Sequence, residues 1–396
     1  MDGALASSVG IAAVIALRLL APLAIWKYPL PALVLSVAID AADHTLLSAF
    51  GAGEGEHYQS YDKALDIYLM SLAMLSMLRN WTSRPAIQIG RALFYYRLLG
   101  ALLFELTGWR PLLLVFPNAF LAYFAFHEIV RAWWSPSQLS GRQYAWAALA
   151  ILVFYKLPHE LWIHVLQLDV TEVIRERILG GRHDVATGEV LAHLLLVVLA
   201  LAAVGIVAWL VRRWAAPPSH RARFAADPLP TTIDDVHERH HWIASRWRVF
   251  DRNLVEKLVL VGFVTVIFAE MLPAVSASPV RVATAVGVVV TVNTFLRIRS
   301  ARRGRYLPST VASFALLSGA NIALVFLGAH LLRQFRGELS IPDALFLVLL
   351  LTLIVTLYDW WRPVYDHRFA LAEAPAATDV AASSPPSRPV HQAVQP

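Results

Sequence analysis

The chain has 396 residues, 58% of them hydrophobic and 16% charged, with a formal net charge of +6. Soluble domains carry roughly a quarter charged residues, so the composition is that of a chain whose solvent is mostly lipid. Its basic residues lie in short stretches between apolar runs and form no basic domain, which argues against nucleic acid as a partner. The absence of cysteine excludes disulfides, thiolate chemistry and iron–sulfur clusters.

About eleven apolar runs are long enough to cross about 30 Å of hydrocarbon at 1.5 Å per residue. They cover 9–26, 28–48, 64–79, 88–106, 111–128, 144–166, 190–212, 254–272, 280–297, 310–332 and 343–360. The first lacks a basic start and a small-residue exit, so it is expected to be retained as a span. The fourth contains Arg91, Arg97 and Glu105 and can be an interior-facing span, a tilted helix or an interfacial one. A polar connection, 213–253, separates an N-terminal membrane half (1–212) from a C-terminal one (254–369). Within it, Ile233 to Arg252 can form an amphipathic helix that lays Trp242, Trp247 and Phe250 on the membrane surface. From 370 to 396 the chain is rich in Ala, Pro, Ser and Val, a composition that stays disordered. The expected fold is therefore an all-α polytopic integral membrane protein of ten to eleven transmembrane helices, multi-pass in a bacterial-type inner (plasma) membrane.

The arginines set an orientation. Arg79, Arg84 and Arg91, then Arg131 and Arg142, then Arg212, Arg213, Arg221 and Arg223, then Arg297 to Arg305 all follow odd-numbered spans. With eleven spans they share one side, which the positive-inside rule makes cytoplasmic. The amino terminus and the loop after the second span then face outside. Were the fourth run not to cross, that loop would move inside.

Asp40 and Asp43 close the second span, three residues apart, and Asp62 and Asp66 open the third, four apart. Each pair shares one helix face. A helical hairpin would bring the pairs together as a cradle of hard oxygen ligands for Mg²⁺ or Mn²⁺. The alternative is four solvated span ends, with Lys63 neutralising one of them and Tyr58, Tyr61 and Tyr68 forming an interfacial belt. A second constellation lies at the end of the sixth run, where Glu160 and His164 have the i,i+4 spacing of metal ligands, with His159, Asp169 and Glu172 nearby. It does not match H-E-x-x-H, and an interfacial helix around Trp162 explains it as well. Glu160 is a candidate substrate ligand and His164 a candidate base. Arg97 can pair with a cradle carboxylate or a lipid phosphate. Glu256, Lys257, Glu270, Asn293 and Asn321 are expected to bond neighbouring helices, and Tyr358 to Arg368 to form a final interfacial anchor.

The aspartate spacing, D-x2-D at Asp40 and Asp43 followed by D-x3-D at Asp62 and Asp66 between the second and third spans, resembles the motif D-x2-D-G-x2-A-R-x8-G-x3-D-x3-D of the CDP-alcohol phosphatidyltransferases. The resemblance implies metal roles for Asp40, Asp43 and Asp62, and a role for Asp66 in activating the acceptor hydroxyl. His44 stands at the family's Gly, Leu47 and Ser48 at its Ala-Arg, the interval from Asp43 to Asp62 is one residue longer, and the second Gly is missing. A related fold with altered chemistry follows. The leading function is a divalent-metal-dependent transferase or hydrolase acting on a phosphorylated lipid or alcohol, with Asp66 or His164 as base. A transporter, whose acids would bind a coupling cation, and a non-catalytic membrane partner are the alternatives.

Overall fold

The computed structural model describes residues 2–49, 56–160, 216–229, 235–271, 279–304, 310–332 and 341–373, with isolated positions at 198, 209, 213 and 233. Every regular element among them is helical. Among the described residues, three stretches are long and apolar enough to cross a membrane: Pro111–Trp133, Val280–Arg302 and Leu345–Ala370.

Helix α1 (Asp2–Leu20) runs into a 3-10 turn at Ala21–Ala24, and α2 (Pro29–Ala49) packs back against it. Helix α3 (Glu56–Asn80) is the axis of the molecule, buried at every position from Ile67 to Leu78. A helix that is apolar all round is stable only when wrapped by others. Helix α4 (Arg84–Thr107) carries Pro85 in its first turn, where the missing N–H falls at a position with no helical acceptor. It stops at Gly108, where φ of 66° requires glycine and the Gly108 N–H caps the Phe104 carbonyl.

The fifth predicted span is divided into α5 (Pro111–Val115) and α6 (Phe120–Trp133). Pro117 interrupts it, and the Phe116 carbonyl freed by the break accepts a hydrogen bond from Arg97 at 3.0 Å. Gly100 of α4 faces the break, where a Cβ would collide with that of Phe116. Helix α7 (Gly141–Ala150) opens with a Ser140–Gln143 capping box and passes through a π-helical turn, Ile151–Lys156, into α8 (Leu157–Glu160). The remaining helices are α9 (Val236–Arg246), α10 (Arg252–Met271), α11 (Pro279–Arg302), α12 (Thr310–Leu332) and α13 (Ile341–Glu373). Of the predicted runs, 190–212 lies outside the described residues except at positions 198 and 209, both helical. The tail beyond Glu373 is also outside them.

Two expectations are corrected. Trp247 does not lie on a membrane surface but is buried with Ile243 against Ile298 and Ala301 of α11, and Trp242 packs edge-on against His367; only Phe250 is exposed. The stretch Tyr358 to Arg368 does not stand exposed at a surface: α13 continues through Pro363, and Tyr358, Trp360, Trp361 and Val364 are buried core residues. Its charges enter the core because they arrive with partners. Asp359 pairs with Lys257 and, at 3.3 Å, with Arg297; Arg362 pairs with Glu256 and, at 3.0 Å, with Asp366.

The basic loops meet on one face. The Trp26 carbonyl accepts from Asn80 at 3.2 Å, Ala226 N–H donates to Lys27 at 2.8 Å, and Arg223 N–H donates to Ala132 at 3.0 Å. Trp81 Nε1 donates to Glu128 Oε1 at 2.7 Å, and Arg368 reaches the carbonyls of Arg79 and Trp81. The start of α4 and the end of α6 thus lie at the same face, so the chain travels away from it along α4 and returns through α5 and α6.

Candidate cation site

The four aspartates of the α2–α3 hairpin converge, and an arginine stands at their centre. Arg18, near the end of α1, donates from one terminal nitrogen to Asp43 at 2.7 Å and to Asp62, and from the other to Asp66 at 3.0 Å and to Asp40. Oxygens of Asp40, Asp62 and Asp66 lie within 4.8 Å of one another, so these three carboxylates could hold a metal ion. The i,i+3 and i,i+4 spacings keep each pair on one helix face, and the structure turns both faces toward Arg18 of α1. Tyr68, donating to the Leu19 carbonyl at 2.9 Å, fixes the rise of α3 against α1.

The cluster is graded in exposure. The Arg18 side chain is 4% exposed and that of Asp43 12%, whereas Asp40, Asp62 and Asp66 reach 37%, 42% and 51%. Its closed end therefore holds the guanidinium, and its open end carries the carboxylates suited to a small cation. Four carboxylates against one guanidinium leave a surplus of negative charge. Two like charges about 5 Å apart repel by about 3 kcal/mol at an effective dielectric of about 20. A further cation or a proton would offset that surplus.

The carboxylates stand along the bodies of their helices rather than at the helix ends. Asp40 lies about 16 Å along α2 from Pro29, and Asp66 about 21 Å along α3 from Asn80, both measured from the basic face. Lys63 turns away from the aspartates to Glu105, 3.7 Å away. Of the other candidate residues, Arg97 is held at the α5–α6 break by the Phe116 carbonyl. Glu160 ends α8, and its side chain and all of His164, Asp169 and Glu172 lie outside the described residues.

Three groupings were not anticipated. Arg18 is the first; a lone arginine inside the apolar run 9–26 was the available signal, because a charge at that depth needs a partner. The second joins helices from either side of the 213–253 connection: Arg91 of α4 pairs with Glu256 of α10 at 2.7 Å, Glu256 with Arg362 of α13, and Lys257 donates to Thr294 at 2.9 Å. In the third, Glu128, fully buried, accepts from Trp81 Nε1 and from Arg131 at 2.6 Å, while His127 stacks on Trp81 with ring centroids 3.8 Å apart. Glu128 and Arg131 have the i,i+3 spacing of a helical pair, but Trp81 comes from 47 residues away, which spacing could not reveal.

No family model matches the chain, and no curated protein and no solved structure is detectably similar to it.

Proposed function

We propose that the chain is a multi-pass protein of a bacterial-type inner (plasma) membrane, with the basic face cytoplasmic and the Arg18–aspartate cluster opening toward the opposite side. The meeting of the basic loops on one face and the out-and-back path of α4 and α5–α6 support this orientation.

Within it, the cluster binds a divalent cation, Mg²⁺ or Mn²⁺, and the protein acts as a transferase- or hydrolase-type enzyme on a phosphorylated lipid or alcohol, with chemistry akin to that of the CDP-alcohol phosphatidyltransferases. The single observation that carries this reading is the set of three carboxylates whose oxygens lie within 4.8 Å of one another. Carboxylate oxygens are the ligands hard cations take, and a few of them leave room for substrate phosphate. A bound cation would polarise a phosphoryl oxygen. In this reading Asp66 accepts a proton from the acceptor hydroxyl, a role supported by its being the most exposed of the four. Arg18 holds the carboxylates together and limits their mutual repulsion.

The purified protein should show thermal stabilisation by Mg²⁺ or Mn²⁺ that is lost in Asp40→Asn and Asp62→Asn. A wild-type melting curve indifferent to divalent cations would sink the cation site.

The depth of the acids favours a second reading, a transporter in which the cluster binds a coupling cation or proton and Arg18 is its tethered competitor. The two diverge in proteoliposomes: cation-dependent turnover of a phosphorylated lipid without ion flux belongs to the enzyme, and gradient-driven uptake abolished by Asp66→Asn to the transporter.

A further inference from the structure

An apolar groove of about 500 Å³ runs between α1, α3, α12 and α13, within the size range of ligand sites. Leu19 and Tyr68 bound it at one end, beside Arg18 and two residues from Asp66; Trp26, Ser76 and Trp361 bound it at the other, on the basic face. Between Tyr68 and Ser76, α3 rises about 12 Å. Leu20 and Val311, 62% and 76% exposed, line its open side.

The rim at the Trp26 end has the composition of a head-group layer. Trp26 and Trp361 stack with centroids 6.0 Å apart, the Arg79 guanidinium lies 5.3 Å from each ring, and the exposed Lys27 sits 5.5 Å from the Tyr28 ring. Tryptophan, tyrosine and basic side chains together mark the level of lipid head groups. A basic rim above an apolar groove complements an anionic head joined to a hydrocarbon chain.

We propose that the groove binds one anionic phospholipid of the leaflet on the basic face, with its phosphate at the Lys27–Arg79 rim and one chain extending toward Leu19. The chain end then borders the Arg18 cluster and closes it toward the basic face. Water and ions reach the carboxylates past Asp62 and Asp66. The proposal rests on the membrane reading and is independent of the cation reading.

The test is native mass spectrometry of the full chain released from nanodiscs containing equal phosphatidylglycerol and phosphatidylcholine. Wild type should retain one phosphatidylglycerol per chain. Leu20→Trp and Val311→Trp, which fill the groove from two different walls at exposed positions, should each lose it. Lys27→Glu should lower the preference for phosphatidylglycerol by about fivefold or more, since a basic residue near an anionic lipid surface contributes on the order of one kcal/mol. No retained lipid in wild type, undiminished retention in both filled variants that still melt cooperatively, or absence of a head-group preference would overturn the proposal. Asp62→Asn in the same assay should keep the lipid. Retention by a wild type that ignores divalent cations defeats the cation reading alone.

Discussion

Arg18 decides the character of the acidic cluster. Its side chain is buried while touching all four aspartates, so removing it leaves carboxylates facing one another with no positive charge between them. Deleting one partner of a fully buried ion network costs about 3–5 kcal/mol, but three of these four carboxylates are more than a third exposed, so solvent screening lowers the cost to about 1–2 kcal/mol. Arg18→Gln is therefore expected to lower thermal stability at neutral pH by an amount of that order, and acidification or added Mg²⁺ should restore part of it by supplying the missing positive charge. Melting of the variant at pH 7 and pH 5, with and without Mg²⁺, measures this. A variant as stable as wild type at pH 7 would show that Arg18 is not the centre of the cluster.

Helix α9 shows how a sequence element can keep its type and change its role. Its amphipathic pattern is real, but its apolar face packs on α11 and α13, with Ile243 fully buried and the Arg239 guanidinium 4.5 Å from the Trp360 ring. His240, half-buried on this helix, bonds the Val236 carbonyl at 2.7 Å. Burial pushes its imidazole below the ordinary histidine range; Arg297, Arg239 and His237 push the same way, and the Val236 bond opposes them. The folded state thus binds this proton less readily than the unfolded chain. The docking stability is complete above the unfolded pKa of about 6.5 and is lost as pH falls from there toward the lowered folded value. Protease protection of the 216–246 connection should decline over that interval, and His240→Gln should flatten the decline. An unchanged pH profile in the variant would assign the sensitivity to another group.

At the scale of the whole molecule, the contacts between the basic loops make a topological prediction. The hairpin turn at Lys27, the end of α3 and the connection at Ala226 share one face, and α2 and α3 carry the intervening loop away from it. Reporter fusions after Phe50 and after Arg223 should therefore report opposite sides of the membrane. Same-side reporting would require α4 not to cross and would return the aspartates to the cytoplasmic side. Coupling between the halves comes from Arg91, Glu256 and Arg362, whose charges bring α4, α10 and α13 together. Like-charged or unpaired groups at those positions would be too costly to bury, so the network restricts which helices can meet.

Amino-acid order alone determined the helical class, the places of most helices and the pairing of Asp40 with Asp43 and of Asp62 with Asp66 on common faces. Those properties depend on local apolar length and on the 3.6-residue period, both of which are written along the chain. The run 111–128 reads as one span, and only the structure shows it broken at Pro117, with Gly100 and the Arg97–Phe116 bond accommodating the break. Only the tertiary structure brought Arg18 into the aspartates, turned Lys63 to Glu105, and drew the charged stretch of α13 into the core beside Glu256 and Lys257. A charged side chain near an apolar stretch can satisfy itself at an interface or against a distant partner. Which of the two it does depends on helix packing across intervals as long as the 106 residues between Glu256 and Arg362, and no local pattern carries that information.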